Sequence, residues 1–148
     1  MRRPEGRLDL LIIGAGPAGL SAADVAAREG LSYLVVEKGL IADTVYRYPV
    51  GLTVFSTTNE LELEEGGLRP CREKPTREEL LSYYVRFALE HDLRINTEEE
   101  VTKIEPRPHE GFRVDTSRAT YEAARVLVCI GGMARPRRAG ARGPRRCR

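Results

Sequence analysis

The sequence predicts an α/β fold in which a parallel sheet is flanked by helices and a small antiparallel β-meander precedes the final strand. Three observations carry that reading. Leu8 to Ile13 is a short apolar run that ends in glycine, as a buried parallel strand does. Tyr33 to Val36 is a second β-type run, closed by Glu37, with alanine-rich helical sequence between the two. Residues 126–130 are apolar like the first run and also lead into glycines, Gly131-Gly132.

The elements follow in order. The spacing predicts a helix over residues 17–29, stopped by Gly30 at the position where a C-terminal glycine is favoured. Strand, glycine turn, helix and strand in about thirty residues make one βαβ crossover. Residues 38–75 show no long periodicity and hold Tyr46-Arg47-Tyr48-Pro49, Ser56-Thr57-Thr58-Asn59 and Gly66-Gly67. An irregular connection of that length ordinarily serves a ligand or another domain. The next helix is announced by Pro75 and by Thr76 with Glu79 three residues on, a capping box. Leu80, Leu81, Tyr84, Phe87 and Ala88 then share one face, and the helix is expected to end near His91. Strands are expected at 93–95, 100–104, 111–116, 119–123 and 126–130, with 105–110, which holds two prolines, as a turn.

Composition narrows the class. A chain of 148 residues has room for one domain and one sizeable core. Hydrophobic residues at 41% and charged residues at 31% exclude global disorder. The longest apolar stretch is far too short to cross a bilayer, so no membrane partner is expected. The basic start resembles a signal peptide, but Asp9 and then Gly14, Gly16 and Pro17 interrupt the apolar run, and a cytoplasmic location is expected. Cys71, Cys129 and Cys147 form no Cys-x-x-Cys, so reduced thiols and no metal site are expected.

The chemistry is carried by Gly14-Ala15-Gly16-Pro17-Ala18-Gly19, between a strand and a helix. The first glycine permits the tight turn, the second lets the backbone approach a pyrophosphate, and the third lets helix and strand pack closely. The helix start offers unpaired N–H groups and the positive end of its dipole to the phosphates. Glu37 stands eighteen residues after Gly19, at the end of the second strand, where its carboxylate can accept hydrogen bonds from both ribose hydroxyls. The same carboxylate would repel a 2′-phosphate, which argues against NADP at this turn. Dinucleotide binding by a Rossmann-like unit is the function these spacings imply.

The variant Gly-x-Gly-Pro-Ala-Gly followed by Leu20-Ser21-Ala22-Ala23 resembles the FAD-binding motif of flavoproteins with two dinucleotide domains. Thr120 to Gly131 resembles their later motif, with Cys129-Ile130-Gly131 where Ala-Thr-Gly is usual. That resemblance implies that Gly131 lets the returning chain pass close to FAD, and that the backbone at Glu100-Val101 lies beside the adenine. Glu37-Lys38-Gly39, Tyr46-Arg47-Tyr48-Pro49, Thr53-Val54-Phe55-Ser56 and Lys74-Pro75-Thr76-Arg77 together resemble thioredoxin-reductase-like flavoproteins, in particular those described as bacillithiol disulfide reductases. The resemblance covers residues 9–136. It implies an NADPH-dependent flavin oxidoreductase that passes electrons to a low-molecular-weight thiol disulfide. It also implies cofactor contacts from Gly14, Gly16, Pro17, Ala18, Gly19, Glu37, Lys38, Val101 and Gly131; no residue of this chain is expected to be catalytic. That family characteristically has a cysteine just before the third glycine; Ala18 stands there in this chain.

Two features modify the expectation. No second glycine-rich turn for NADPH occurs in the sequence, and relatives of this kind need a second domain for it. Arg135 to Arg148 holds seven arginines and no acid; the remainder then has 17 basic and 22 acidic residues, a net charge of −5. The FAD-binding domain is therefore expected at residues 7–133. The basic irregular tail at 134–148 is expected to mark a truncated or frameshifted product that does not turn over alone. The tail has no interleaved aromatics, so nucleic acid is not expected as a partner. The competing readings are a NAD-binding dehydrogenase module, and a non-catalytic fragment with a nucleic-acid-binding tail. Cys129 reads as core packing, His91 as a helix-end residue favoured by the dipole, His109 as a solvated turn residue, and Tyr46 and Tyr48 as loop anchors or neighbours of a flavin ring.

Overall fold

The computed structural model describes residues 6–108 and 110–132. Its elements run β1 (Leu8–Ile13), α1 (Pro17–Arg28), β2 (Tyr33–Val36), α2 (Asp43–Tyr46), α3 (Thr58–Leu61), α4 (Arg77–Glu90), β3 (Ile95–Asn96), β4 (Val101–Arg107), β5 (Gly111–Thr116) and β6 (Thr120–Val128). One six-stranded sheet has the order β3-β2-β1-β6-β5-β4. β1 lies between β2 and β6, parallel to both, with Ile13 opposite Val36 on one side and Val128 on the other. Strands that end level in this way bring the loops beyond them to a common edge, the place where open α/β sheets bind ligands.

Alternation along β1 and β2 divides the core. Ile12, Tyr33 and Val35 face α1 and α4, packing with Leu20, Ala23, Leu80, Tyr84 and Phe87. Leu11, Ile13, Leu34 and Val36 face the other way, against Val114, Tyr121 and Ala123 of the meander. The helix stop at Gly30 forms as expected: Gly30 has φ +68°, its N–H donates to Ala27, and that of Leu31 donates to Ala26. The box at α4 also closes, Thr76 accepting from the Glu79 N–H and Glu79 accepting from the Thr76 N–H.

Four expectations change. The meander is not inserted before the final strand. Its third strand is the final strand, because 119–123 and 126–130 merge into β6, which pairs antiparallel with β5 through Ala123 and parallel with β1 from Ala123 onward. Pro106 lies in β4 rather than in a turn, since β4 is an edge strand and the missing N–H removes no interior hydrogen bond. β3 begins at Ile95 because Leu93 is used to close α4, its N–H donating to Ala88 while Asp92 takes φ +44°. The connection 38–75 is not wholly irregular: it holds the single turns α2 and α3 and a bridge between Thr53 and Thr76. His109, Cys147 and the tail at 134–148 lie outside the described residues.

Candidate dinucleotide-binding site

The glycine turn is built by close contacts that side chains would prevent. Gly14 has φ +107°, and a Cβ there would stand 2.4 Å from the Cys129 carbonyl oxygen. Its N–H donates to Val36, and the N–H of Cys129 donates to Ile13, so β1, β2 and the end of β6 together hold the start of the turn. A Cβ on Gly19 would stand 1.9 Å from the carbonyl oxygen of Gly14. Only a glycine lets α1 press this closely on the strand.

Gly16 differs from both. Nothing lies within 4 Å of where its Cβ would be. It is the N-cap of α1, no side chain caps the helix, Pro17 occupies the first turn, and that turn contains no acid. Pro17 and Ala18 are exposed. The result is an open helix start with uncapped N–H groups, suited to an anion.

Glu37 is the side chain joined to this turn. It is 9% exposed, and its two oxygens accept from the N–H groups of Ala15 and Gly39, each at 2.8 Å. The Ala42 N–H donates to the Ala15 carbonyl, closing the loop after β2 over the turn. Arg47, in the same loop, pairs with Asp43; that carboxylate, and more weakly Glu37, holds the guanidinium pKa above its ordinary value. A cation therefore stands in the electrostatic neighbourhood of Glu37.

The other expected residues are placed as follows. Lys38 is exposed beside Glu37. Val101 opens β4 opposite Thr116, half-buried against the second core cluster, two residues after Glu99, whose N–H donates to the Glu37 carbonyl. Gly131 lies beyond β6 with φ +72° and open space around it. The structure thus brings the turn and Glu37 into direct contact, while Lys38, Val101 and Gly131 make no described contact with the turn.

Cys129 is half-buried just past β6 rather than inside it, and desolvation raises its thiol pKa, which keeps it a poor nucleophile. Cys71 is exposed and its N–H donates to Glu79. Tyr46 is held by Arg77, whose guanidinium stacks 5.4 Å from the ring centre. His91 caps the end of α4, as its position suggests, and also bonds Asp24 of α1 at 2.7 Å. A cavity of about 760 Å³ lies between Gly66 and Arg86, but no residue of the turn lines it. No described helix is long and apolar enough to cross a membrane, and among the described residues no group of His, Cys, Asp and Glu is placed to hold a metal ion.

Sequence reasoning missed the residues that support Glu37. The Ala15 and Gly39 amides bond its side chain, and Asn96, Glu98 and Glu99 bond the backbone of Glu37 and Gly39. Glu99, within the acidic run Glu98-Glu99-Glu100, is completely buried. No linear signal distinguishes it from its neighbours.

Comparison with known proteins agrees with this geometry. Residues 11–148 match the family described as pyridine nucleotide-disulphide oxidoreductase. The bacilliredoxin reductase Bdr of Bacillus subtilis is 34% identical over 121 residues, which are 82% of this chain and 37% of that protein. The solved bacillithiol disulfide reductase Bdr from Staphylococcus aureus superposes with a TM-score of 0.79 at 32% identity, covering 84% of this chain and 38% of the other. A thioredoxin reductase from T. acidophilum superposes at 0.65 with 27% identity, covering 86% and 36%. The chain thus spans well under half the length of these relatives. It belongs to the pyridine nucleotide-disulphide oxidoreductase family.

Proposed function

We propose that this chain is the FAD-binding portion of an NAD(P)H-dependent flavin oxidoreductase of the disulfide-reductase kind. The observation that carries the reading is the Glu37 carboxylate held against the glycine turn at 2.8 Å, beside an uncapped helix start. The open space at Gly16 fits a pyrophosphate, which a side chain there would obstruct.

FAD, when bound, supplies a redox centre that takes hydride from a reduced nicotinamide and passes electrons to an acceptor. The residues of this chain bind and orient. The N–H groups at the start of α1 donate to the pyrophosphate oxygens, and the dipole of the helix favours their charge. Glu37 accepts from the two ribose hydroxyls with the lone pairs that Ala15 and Gly39 leave unused, since a carboxylate has about four acceptor sites. Its charge disfavours a 2′-phosphate in the same position, which argues against NADPH as the ligand here. The family resemblance implies that the backbone around Val101 would sit beside the adenine, that Lys38 would add positive charge, and that Gly131 would let the chain after β6 pass close to the cofactor. Among the described residues, none is assigned a role as proton donor or nucleophile.

The relatives' names point to a bacillithiol or bacilliredoxin disulfide as electron acceptor. Ala18 stands where that kind of enzyme carries a cysteine, so we assign the acceptor only as a disulfide-class or other two-electron oxidant. The glycine turn and Glu37 are assigned to FAD alone.

Absorbance and flavin fluorescence of the purified chain test the proposal. Added FAD is expected to be quenched saturably and to raise the melting temperature, with NAD giving a smaller shift. A colourless protein stabilised by NAD and indifferent to FAD would make it a dehydrogenase module instead.

A further inference from the structure

Glu99 has no part in the function above, yet it is completely buried and its carboxyl group is fully engaged. One oxygen accepts from the Tyr121 hydroxyl at 2.8 Å and the Thr116 hydroxyl at 2.6 Å, and the other accepts from the Asn96 side-chain amide at 3.1 Å. The Asn96 amide also donates to the Tyr121 hydroxyl at 3.2 Å. Thr116 ends β5 and Tyr121 lies in β6, so the cluster ties the meander to the segment between β3 and β4.

That segment is the one that grips Glu37. The Glu37 N–H donates to the Asn96 carbonyl at 2.9 Å, and the Glu99 N–H donates to the Glu37 carbonyl at 2.8 Å. One residue earlier the Glu98 N–H donates to Gly39, whose own N–H donates to the Glu37 carboxylate. Glu98 reaches this bond with φ +55°, a conformation that non-glycine residues adopt only when their surroundings impose it. The bonds close into a ring: Glu37 to Asn96 through backbone, Asn96 to Glu99 through side chains, Glu99 to Glu37 through backbone. For stability alone, apolar residues of similar volume serve a buried site as well as a carboxyl cluster does; what the cluster adds is fixed geometry.

We propose that Glu99, with Asn96 and Tyr121, is a positioning residue that holds the Glu37 carboxylate in register with the glycine turn and so sets the chain's preference for a ligand with a free ribose diol. The inference rests on the reading of Glu37 as the ribose-binding acid. Glu99 touches no ligand and acts through Glu37.

The test uses two probes, ADP and 2′,3′-dideoxy-ADP, titrated by calorimetry into the whole chain and into its Tyr121→Phe and Glu99→Gln variants. Tyr121→Phe keeps the ring packing and removes one hydroxyl. Glu99→Gln sets an amide donor against the Asn96 donor. Both are expected to weaken ADP roughly three- to tenfold and to leave dideoxy-ADP within about twofold, because the loss runs through the diol contact. Amide exchange in the ligand-free chain is expected to quicken at Ala15 and Gly39 and to stay unchanged at Leu11 and Ile12. Equal losses for both probes, no loss for either, or unchanged exchange at Ala15 and Gly39 would overturn the proposal. A parent chain that binds both probes alike would instead remove the ribose role of Glu37, and the exchange at Ala15 and Gly39 would still decide whether Glu99 positions it.

Discussion

Gly16 and Gly19 stand three residues apart in one turn and face opposite constraints. A methyl group on Gly19 meets the Gly14 carbonyl oxygen, whereas one on Gly16 meets nothing. Gly19→Ala is therefore expected to destabilise the fold by about 1–3 kcal/mol, the range for overpacking a tight contact. Gly16→Ala, at φ −80°, is expected to leave the melting temperature unchanged while weakening FAD. Chemical denaturation and FAD titration of the two variants separate the cases. Glu37→Gln is expected to weaken FAD at least about tenfold, in keeping with about 1.5–3 kcal/mol for hydrogen bonds to a charged group. An unchanged affinity in that variant would remove Glu37 from the site.

At the scale of the element, α4 depends on its first turn. Glu79 accepts from the N–H groups of Thr76 and Cys71 and from the Thr76 hydroxyl, and these bonds, Thr76 first, pull its pKa down to about 2. A carboxyl with a lowered folded-state pKa contributes stability that is fully present above its unfolded value, near 4.5, and is lost as pH falls toward 2. Glu79→Gln is therefore expected to flatten the acid limb of a stability-versus-pH curve between those values. A variant whose acid limb matched the parent's would contradict this. Thr76→Ala is expected to cost about 1 kcal/mol, as loss of an N-cap does, measured by urea unfolding. The two long helices are also joined to each other, since His91 at the end of α4 bonds the buried Asp24 of α1 and stacks on Phe87.

Across the whole molecule, the parts legible in the sequence are those whose determinants are local. The first βαβ unit could be read because each glycine, the alanine-rich helix and Glu37 act within about thirty residues. The box at Thr76 and the stop at Gly30 are likewise written in adjacent residues. What could not be read depends on distant partners. β6 reads as two strands because Ala124 and Arg125 interrupt its apolar pattern; pairing with β1 and β5 on opposite sides makes it one. Leu93 looks like strand but is drawn into the end of α4. Glu99 looks solvated among three glutamates and is buried only because Asn96, Thr116 and Tyr121 come together from other elements. The candidate site divides in the same way: the turn and Glu37, proposed to face the ligand, are legible in the sequence, and the groups that hold Glu37 in place are not.

The turn at Gly14, Gly16 and Gly19 with Glu37 is proposed to bind FAD. The most direct test is flavin-fluorescence titration of the whole chain beside Gly16→Ala, with the melting temperature of each recorded without ligand. Saturable quenching by the parent, clearly weakened in a variant that melts at the same temperature, is the predicted result. Equal affinity in the two proteins, or no quenching by the parent, would contradict it.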